Sequence, residues 1–277
     1  MKFLSNHVEY NVEVHGSSSS SSVLLLHGFT GDLHTWDHLV NVLSKDYQTI
    51  SIDIIGHGLT GSPDYSERYT MESVCRDIVA ILDSLSIEKV HLVGYSMGGR
   101  LALSFAHLYQ GYVSSLVLES ASPGLSTIEE RLNRRVADEG LAKKLEDQGL
   151  EAFIDFWENI PLFKSLKSLP LETQNHIRRQ RMNNTIVGLS NSLRGMGTGV
   201  QPSWWDHLSQ LKIPVLLLTG ELDEKFVRIA ELMCSHIKDV QWDNILGAGH
   251  AIHVELPEKF GKIVSGFLSK IEGGKIT

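Results

Sequence analysis

The sequence predicts an α/β fold in which a mostly parallel sheet is covered by helices on both faces and interrupted by a helical insertion. Short, continuous apolar runs alternate with stretches of helical periodicity along most of the chain. Continuous hydrophobicity indicates strands that are buried on both faces, and the intervening helices indicate βαβ crossovers. The chain has 277 residues, of which 42% are hydrophobic, so it can bury a sizeable core as one domain.

The N-terminal segment has a different pattern from these runs. Val8, Tyr10, Val12 and Val14 alternate with polar residues, which predicts an edge strand or a hairpin with one buried face. Six serines follow at residues 17–22. Because they offer no apolar side chain to a core, we interpret them as a flexible turn without a chemical role.

The other elements of the core follow in order along the chain. Apolar runs predict strands at residues 23–26, 49–54, 90–94, 113–118, 215–219 and 240–246. Helical periodicity predicts helices at residues 71–85, 97–109 and 258–271. This alternation of strands and helices predicts the parallel part of the sheet.

The alternation of predicted strands and helices stops in the middle of the chain. Residues 122–207 contain helical segments without a convincing strand, and the strand pattern resumes at Val215. Open α/β sheets bind their ligands at the carboxyl ends of the strands, so we interpret this insertion as a helical cap over that edge. The predicted division is a core of residues 1–121 and 208–277 and a cap of residues 122–207.

Composition excludes several classes of function. The net charge of −8 argues against a nucleic-acid or anionic-membrane partner. The N-terminus, MKFLSNHVEY, lacks the apolar stretch of a signal peptide. No continuous apolar segment is long enough to span a membrane. Cys75 and Cys234 are far apart and lack the spacing of metal ligands, and no phosphate-binding loop is present. We therefore expect a cytoplasmic protein without a metal or organic cofactor.

Residues 94–98, Gly-Tyr-Ser-Met-Gly, lie between a predicted strand and a predicted helix. In this context the pattern is typical of the nucleophile elbow of the α/β-hydrolase fold. The glycines permit a crowded turn, and the oxygen of Ser96 projects above the sheet at a helix N-terminus. We therefore predict that Ser96 is catalytic.

A catalytic serine needs an imidazole within hydrogen-bond reach and a carboxylate that orients the imidazole. In this fold the chain order is serine, acid, histidine. His250 follows the last predicted strand and Asp223 follows the strand at residues 215–219, so we predict that they complete a triad. Glu221 and Glu119 remain alternatives for the acid.

The other motif histidines have structural interpretations. We expect His253 to pack at the base of its loop, and His27 and His57 to support the HGF and GHG turns. The segment HGFTG follows the strand at residues 23–26, where this architecture supplies an oxyanion donor. We predict that the backbone N–H groups of Phe29 and Met97 form the oxyanion hole.

Arg100 lies one helical turn beyond Ser96, so its side chain can stay near the elbow. A surface salt bridge is the simpler interpretation of a lone arginine. However, residues 126–205 contain seven of the 11 arginines, where about three would be expected from their share of the chain. Guanidinium groups match carboxylates bidentately, so we predict a small anionic substrate with more than one carboxylate.

At these residues the chain resembles the 2-succinyl-6-hydroxy-2,4-cyclohexadiene-1-carboxylate synthase family of menaquinone biosynthesis, within the α/β-hydrolase superfamily. The matching segments cover nearly the whole chain: HGFTG, DIIGHG, YTME, GYSMGGRLAL, ESASPGL, RQRMNN, SLRGMGTGVQPSWW, GELDEKF and GAGHAIHVELP. The elbow and the GHG turn are common to the superfamily. The arginine after GYSMGG, the cap segments and GELDEKF are more specific.

The resemblance implies a carbon–oxygen lyase on a hydrolase fold. The family's substrate is an enolpyruvyl ether of a succinyl-substituted cyclohexene carboxylate, which loses a ring-adjacent proton and eliminates pyruvate. By this resemblance Ser96, paired with His250 and Asp223, takes the proton. The N–H groups of Phe29 and Met97 stabilise the oxyanion that develops on the succinyl ketone.

The resemblance also implies how the substrate is held. Arg100 and Arg181 match the family's clamping arginines, and Tyr95 and Trp157 match its pocket aromatics. Trp157 could equally pack in the core of the cap. The sequence does not decide which of Arg131, Arg134 and Arg135 corresponds to a third clamping arginine.

Two other classes of function compete with this reading. A serine hydrolase of esters or of carbon–carbon bonds would use the same triad, and it would tolerate loss of Arg100 if its substrate were neutral. Some proteins of this fold are small-molecule receptors. An intact triad with an oxyanion loop favours an enzyme over a receptor.

Overall fold

The computed structural model describes residues 1–274, which include one eight-stranded sheet. The strands lie in the order β1-β2-β4-β3-β5-β6-β7-β8. They are β1 (Lys2–Ser5), β2 (Val8–His15), β3 (Ser22–Leu26), β4 (Gln48–Ile52), β5 (Val90–Tyr95), β6 (Val113–Glu119), β7 (Val215–Gly220) and β8 (Val240–Ile245). β1 and β2 form an antiparallel hairpin, β2 joins β4 antiparallel, and β3 to β8 are parallel. The α/β-hydrolase fold predicted from the sequence is confirmed.

Two details of the strand prediction were wrong. Ser22 begins β3 instead of ending the serine turn, because its buried hydroxyl donates a hydrogen bond to Gln48 on the neighbouring strand (3.0 Å). β8 is not buried on both faces: Ile245 is its one buried residue. β8 lies at the end of the sheet and has a single neighbouring strand, which leaves it partly open to solvent.

Helices fill the connections between the strands. They are α1 (Asp37–Leu43), α2 (Met71–Ser84), α3 (Met97–Leu108), α4 (Ile128–Trp157), α5 (Leu171–Met182), α6 (Ile186–Met196), α7 (Glu224–Cys234), α8 (Ile252–Glu255) and α9 (Pro257–Gly273). The sequence predicted α2, α3 and α9 to within two residues at each end. The sequence did not predict α1 or α7. Both helices are short and lie between motifs that were interpreted as loops.

Alternate residues of the central strands face two separate cores. On β3, Leu24 and Leu26 join one core with α2 and α3, while Val23 and Leu25 join the other with α1 and α9. This alternation is why the strands read as continuous apolar runs. The packing leaves the carboxyl ends of the parallel strands free for a site.

The long insertion between β6 and β7 forms a helical cap with its own small core of Leu145, Phe153, Ile154 and Leu189. α4 begins at a capping box, in which Thr127 Oγ1 accepts from the N–H of Glu130 and the Glu130 carboxylate accepts from the N–H of Thr127. Gly149 (φ 82°, ψ 167°) breaks this helix. The division at residues 122 and 207 stays a prediction.

Within residues 1–274, no helix combines the length and the apolar character that crossing a membrane requires.

Candidate active site

Ser96 lies in the sharp turn between β5 and α3, with φ 51° and ψ −106°. This conformation is strained for a residue other than glycine, so the surroundings must hold it. The N–H of Ser96 donates to the backbone carbonyl of Glu119 (2.9 Å), and the N–H of Arg100 donates to the carbonyl of Ser96 (3.0 Å). A Cβ atom at Gly98 would lie 2.1 Å from the carbonyl oxygen of Leu26. The turn therefore requires glycine at residue 98, as the elbow motif predicts.

The three predicted triad residues lie in one hydrogen-bonded chain. Nε2 of His250 is 3.0 Å from Oγ of Ser96, and Nδ1 of His250 is 2.6 Å from Oδ2 of Asp223. His250 and Asp223 are buried, so water competes little for these hydrogen bonds. With Nδ1–H donating to Asp223, Nε2 can accept the serine proton, which is the arrangement that makes a serine oxygen basic.

The alternative acids and histidines have other partners. Glu119 is fully buried and accepts hydrogen bonds from the backbone N–H (3.0 Å) and from Nδ1 (2.8 Å) of His253. Glu221 accepts from the N–H of Gly247. The Glu119–His253 pair lies beneath Tyr95, whose ring centroid is 4.6 Å from that of His253. His253 thus packs at the base of the loop that carries His250.

His27 and His57 are buried within the turns behind the oxyanion loop. Nε2 of His27 accepts from the N–H of Ile54 (2.9 Å), while Nδ1 donates to the carbonyl of Gly28 (2.8 Å). Burial lowers the pKa of His27 to about 4 and the pKa of His57 to about 3. Both rings are therefore neutral at pH 7 and act as structural spacers.

The two predicted oxyanion donors both belong to residues that line the cavity in front of Ser96. Met97 is the first residue of α3, so its N–H has no acceptor within the helix. Phe29 follows β3, and no hydrogen bond among residues 1–274 uses its N–H. Two free donors beside the serine oxygen can stabilise a developing negative charge.

Ser96 opens onto a cavity of about 690 Å³ between the sheet and the cap. The cap contributes three aromatic side chains to its lining, those of Trp157, Phe163 and Trp205. Trp157, at the end of α4, packs against Phe29 (5.3 Å between centroids) and stacks on Phe153 (5.8 Å). Its Nε1 is buried and has no acceptor in residues 1–274. Trp157 therefore packs against the cap core and also lines the cavity, and its contact with a substrate stays a prediction.

Arg100 lines the same cavity as Ser96. Its Nη1 donates to the carbonyl of Met196 (2.7 Å) and to Oε1 of Gln201 (2.6 Å), and it forms no ion pair with a carboxylate in the described part of the chain. Burial is the main factor that lowers the pKa of Arg100, to about 10, and nearby Arg134 lowers it further. Neutral acceptors hold this guanidinium and leave its charge for an anion.

The cap arginines have diverse partners. Of the three that were left open, Arg134 lines the cavity and its Nε donates to Oδ1 of buried Asp138 (2.7 Å). Arg131 and Arg135 donate to backbone carbonyls at residues 199 and 200. Arg194 pairs with Glu139 and Glu146, and Arg178 pairs with Asp155 and Glu158. Part of the arginine excess therefore stabilises the cap itself. The number of arginines in the cap is larger than the number whose charge faces the cavity.

Arg181 is buried but lies behind the cavity. Its guanidinium stacks on the ring of Phe163 (4.7 Å to the centroid) and is 3.7 Å from Glu158. It lines a smaller adjoining cavity that also contains Tyr95 and Phe163. The rings of Tyr95, Phe29 and Phe163 line both cavities, so aromatic side chains lie between Arg181 and the cavity of Ser96.

Lys225 is a cavity residue that the sequence reasoning did not identify. It lies two residues after Asp223 in the segment GELDEKF, at the start of α7. The sequence contained a signal for Lys225, because a residue two positions after the triad acid must lie close to the active site. Its neighbour Phe226 contacts the ring of His250 (4.8 Å between centroids).

Comparison with known proteins places these features in a family. A model of the alpha/beta hydrolase fold matches residues 21–257. The chain is 46% identical, over 97% of each chain, to a Bacillus subtilis (strain 168) protein to which 2-succinyl-6-hydroxy-2,4-cyclohexadiene-1-carboxylate synthase activity is provisionally assigned. It is 31% identical to the synthase of that name from Salmonella typhimurium (strain LT2), over 87% of this chain and 91% of the relative.

Solved structures agree with the sequence relatives. The structure of MenH from S. aureus superposes with a TM-score of 0.90 and 36% identity, covering 95% of this chain and 98% of that one. A thermophilic esterase from Thermogutta terrifontis, with malate bound, gives a TM-score of 0.82 and 27% identity, covering 95% and 94%. On the match to the synthases along nearly its full length, the chain belongs to the 2-succinyl-6-hydroxy-2,4-cyclohexadiene-1-carboxylate synthase family of the α/β-hydrolase superfamily.

Proposed function

We propose that the protein is a carbon–oxygen lyase that eliminates pyruvate from an enolpyruvyl-succinyl-cyclohexene carboxylate. The product is 2-succinyl-6-hydroxy-2,4-cyclohexadiene-1-carboxylate, an intermediate of menaquinone biosynthesis. One observation carries the proposal: the oxygen of Ser96, 3.0 Å from Nε2 of His250, opens onto a cavity lined by Arg100 and Arg134. The names of the relatives point to the same reaction.

The triad supplies the base for this elimination. Ser96 gives its proton to Nε2 of His250, and the serine oxygen takes the proton from the ring carbon next to the succinyl ketone. Asp223 holds the imidazole in the required tautomer and stabilises the imidazolium. The electron pair of the broken C–H bond moves toward the ketone oxygen, where the N–H groups of Phe29 and Met97 stabilise the charge.

Elimination then follows without a covalent enzyme intermediate. The enolate electrons form the new ring double bond, and the C–O bond to the enolpyruvyl group breaks. The leaving enolate of pyruvate takes up a proton and becomes the keto acid. Ser96 already carries the proton from the ring carbon, and the proton held by His250 passes to the leaving enolate, so all atoms and charges balance over one turnover.

The cationic lining accounts for a substrate with three carboxylates. Arg100 and Arg134 lie in the cavity of Ser96 and can bind carboxylates through their planar donor groups. Arg181 can contribute as a clamp if its guanidinium leaves the ring of Phe163 and passes Tyr95. Tyr95 and Trp157 provide aromatic surface for the ring of the substrate.

A serine hydrolase is the second candidate function. The same triad geometry fits attack of Ser96 on an ester carbonyl, and the fold is similar to that of a thermophilic esterase. In a hydrolase an acyl group would be transferred to Ser96 and then to water. The two functions therefore differ in whether pyruvate is released and in whether an acyl-enzyme accumulates.

The enolpyruvyl ether distinguishes them directly. We expect the native protein to release pyruvate, measured with lactate dehydrogenase, and Ser96→Ala to reduce the rate by at least about a hundredfold. Ser19→Ala, in the exposed serine turn, is the matched control and should retain the native rate. Rapid cleavage of p-nitrophenyl esters without pyruvate release would instead support the hydrolase.

A further inference from the structure

Lys225 brings a third positive charge to the cavity that contains Ser96. Its side chain lines this cavity together with Arg100 and Arg134, and it is exposed at the rim. Glu130 is the one acidic residue in the same lining, and its carboxylate is engaged by Thr127 in the capping box at the start of α4. A protein of net charge −8 thus concentrates three cations in one cavity.

Lys225 has no carboxylate partner within residues 1–274. By contrast, Arg228 on the next turn of α7 pairs with Glu224 (2.9 Å). Partial burial lowers the pKa of Lys225, and Arg134 and Arg100 lower it further, while Asp223 opposes them. Arg134 is paired with the buried carboxylate of Asp138 (2.7 Å), whereas Lys225 and Arg100 have no carboxylate partner within residues 1–274. Like charges in one cavity repel each other, so a bound anion would relieve the repulsion that Lys225 and Arg100 feel.

We propose that Lys225 binds a carboxylate of the substrate at the rim of the cavity and is a specificity-determining residue for polyanionic substrates. This inference rests on the proposed function and extends it. An ammonium group acts as a compact point charge, whereas Arg100 and Arg134 can bind a carboxylate bidentately. The cavity then presents Lys225 and Arg100, together with the Asp138-paired Arg134, to the carboxylates of the substrate without requiring Arg181 to move.

The position of Lys225 indicates that it binds the substrate without taking part in proton transfer. It lies on α7, and the hydrogen bonds of the triad do not include it. An interaction made equally in the ground state and the transition state lowers KM and leaves kcat unchanged. Replacement of Lys225 should therefore affect KM selectively.

The test compares Lys225→Met, Lys225→Arg and Arg228→Met in the full-length protein. Arg228→Met removes the same charge from the same helix outside the cavity. We expect Lys225→Met to raise KM for the enolpyruvyl ether by about fivefold or more, with kcat within about twofold of native. Lys225→Arg should largely restore KM, and Arg228→Met should leave it unchanged.

Binding measured without turnover supplies a second readout. We expect calorimetric titration of the ether into Ser96→Ala to show binding that weakens about fivefold when Lys225→Met is added. Native KM and binding in the Lys225→Met proteins would overturn the inference while leaving pyruvate elimination intact. Failure of the native protein to eliminate pyruvate, together with no binding by Ser96→Ala, would overturn the proposed function and this inference with it.

Discussion

Arg100 is the residue whose partners most clearly indicate an anionic ligand. Its Nη1 is fixed by Met196 and Gln201, while its Nε and Nη2 make no hydrogen bond within residues 1–274. A buried guanidinium with free donors is costly unless a ligand uses them. The neutral acceptors orient Arg100 toward the cavity without neutralising its charge.

Replacement of Arg100 tests this role. We expect Arg100→Ala to lower kcat/KM for pyruvate release by about tenfold or more, because one hydrogen bond to a charged group contributes roughly 1.5 to 3 kcal/mol. Arg179→Ala, which removes an exposed cap arginine, is the control. Unchanged kinetics for Arg100→Ala would show that the substrate is not held there.

The two buried acids near the triad predict opposite phenotypes. Asp223→Asn should lower kcat by on the order of a hundredfold or more, because it disturbs the tautomer of His250, and should leave stability nearly native. Glu119→Gln should cost about 2 kcal/mol or more of unfolding free energy, because His253 loses a buried charged acceptor.

Urea unfolding and steady-state kinetics on both variants measure these effects. A large loss of kcat in Glu119→Gln with native kcat in Asp223→Asn would reverse the assignment of the acid.

How far the sequence predicts the site depends on the kind of residue. Ser96, His250 and Asp223 follow from chain order and from positions directly after strands, and the structure brings them together. The choice among cap arginines could not be made, because several guanidinium groups lie on the same helices and packing decides which ones face inward. The cavity therefore distinguished Arg134 from the other two candidate arginines and added Lys225, which was not a candidate.

At the scale of the element, α4 depends on the glycine that interrupts it. Gly149 has a backbone conformation that is nearly restricted to glycine, yet a Cβ atom there would meet no neighbour within 4 Å. Gly140 on the same helix also has open space around it, but it has no positive φ. Because a Cβ atom would meet no neighbour at either glycine, the difference between the two substitutions measures the cost of the strained backbone at Gly149.

We expect Gly149→Ala to lower the unfolding free energy by about 1 kcal/mol or more, and Gly140→Ala to raise it by about 0.5 to 1 kcal/mol. Urea unfolding measures both. Equal effects of the two substitutions would contradict the strained break. Since Trp157 ends α4 beyond the break, Gly149→Ala should also raise KM.

The elements differ in how well the sequence predicted them, for physical reasons. Strands with neighbours on both sides were predicted to within two residues, because alternate side chains face two apolar cores. β8 (VQWDNI) contains three polar residues and lies at the end of the sheet with a single neighbouring strand, so it is not buried on both faces as predicted. The sequence did not predict α7, because the first turn of this helix overlaps the GELDEKF motif.

At the scale of the whole molecule, the buried side chains of His27 and His57 couple folding to pH. In the unfolded chain each would titrate at the ordinary value of 6.5, whereas in the folded protein their pKa values are about 4 (His27) and about 3 (His57). Below pH 6.5 the unfolded chain therefore binds protons that the folded protein does not. Stability is complete above pH 6.5 and falls as the pH decreases toward 4.

Each histidine should contribute a slope of about 1.4 kcal/mol per pH unit in this window. We expect His27 and His57 together to lower the unfolding free energy by about 4 kcal/mol between pH 7.5 and pH 5, and His57→Gln to remove about 2 kcal/mol of this fall. Burial also lowers the pKa of His107 to about 4, so His107 adds to the total fall. Urea titrations at several pH values provide the measurement. A pH-independent stability would mean that these rings accept protons in the folded state.

We propose that Ser96 acts as a base toward carbon and not as an acyl acceptor. The most direct measurement is a single turnover, with enzyme in excess, of an ether carrying deuterium at the ring carbon next to the succinyl ketone. We predict slower pyruvate release from the labelled ether and no mass added to Ser96 at any time point. Equal rates for both ethers, or an acylated Ser96 that decays as product appears, would contradict the account.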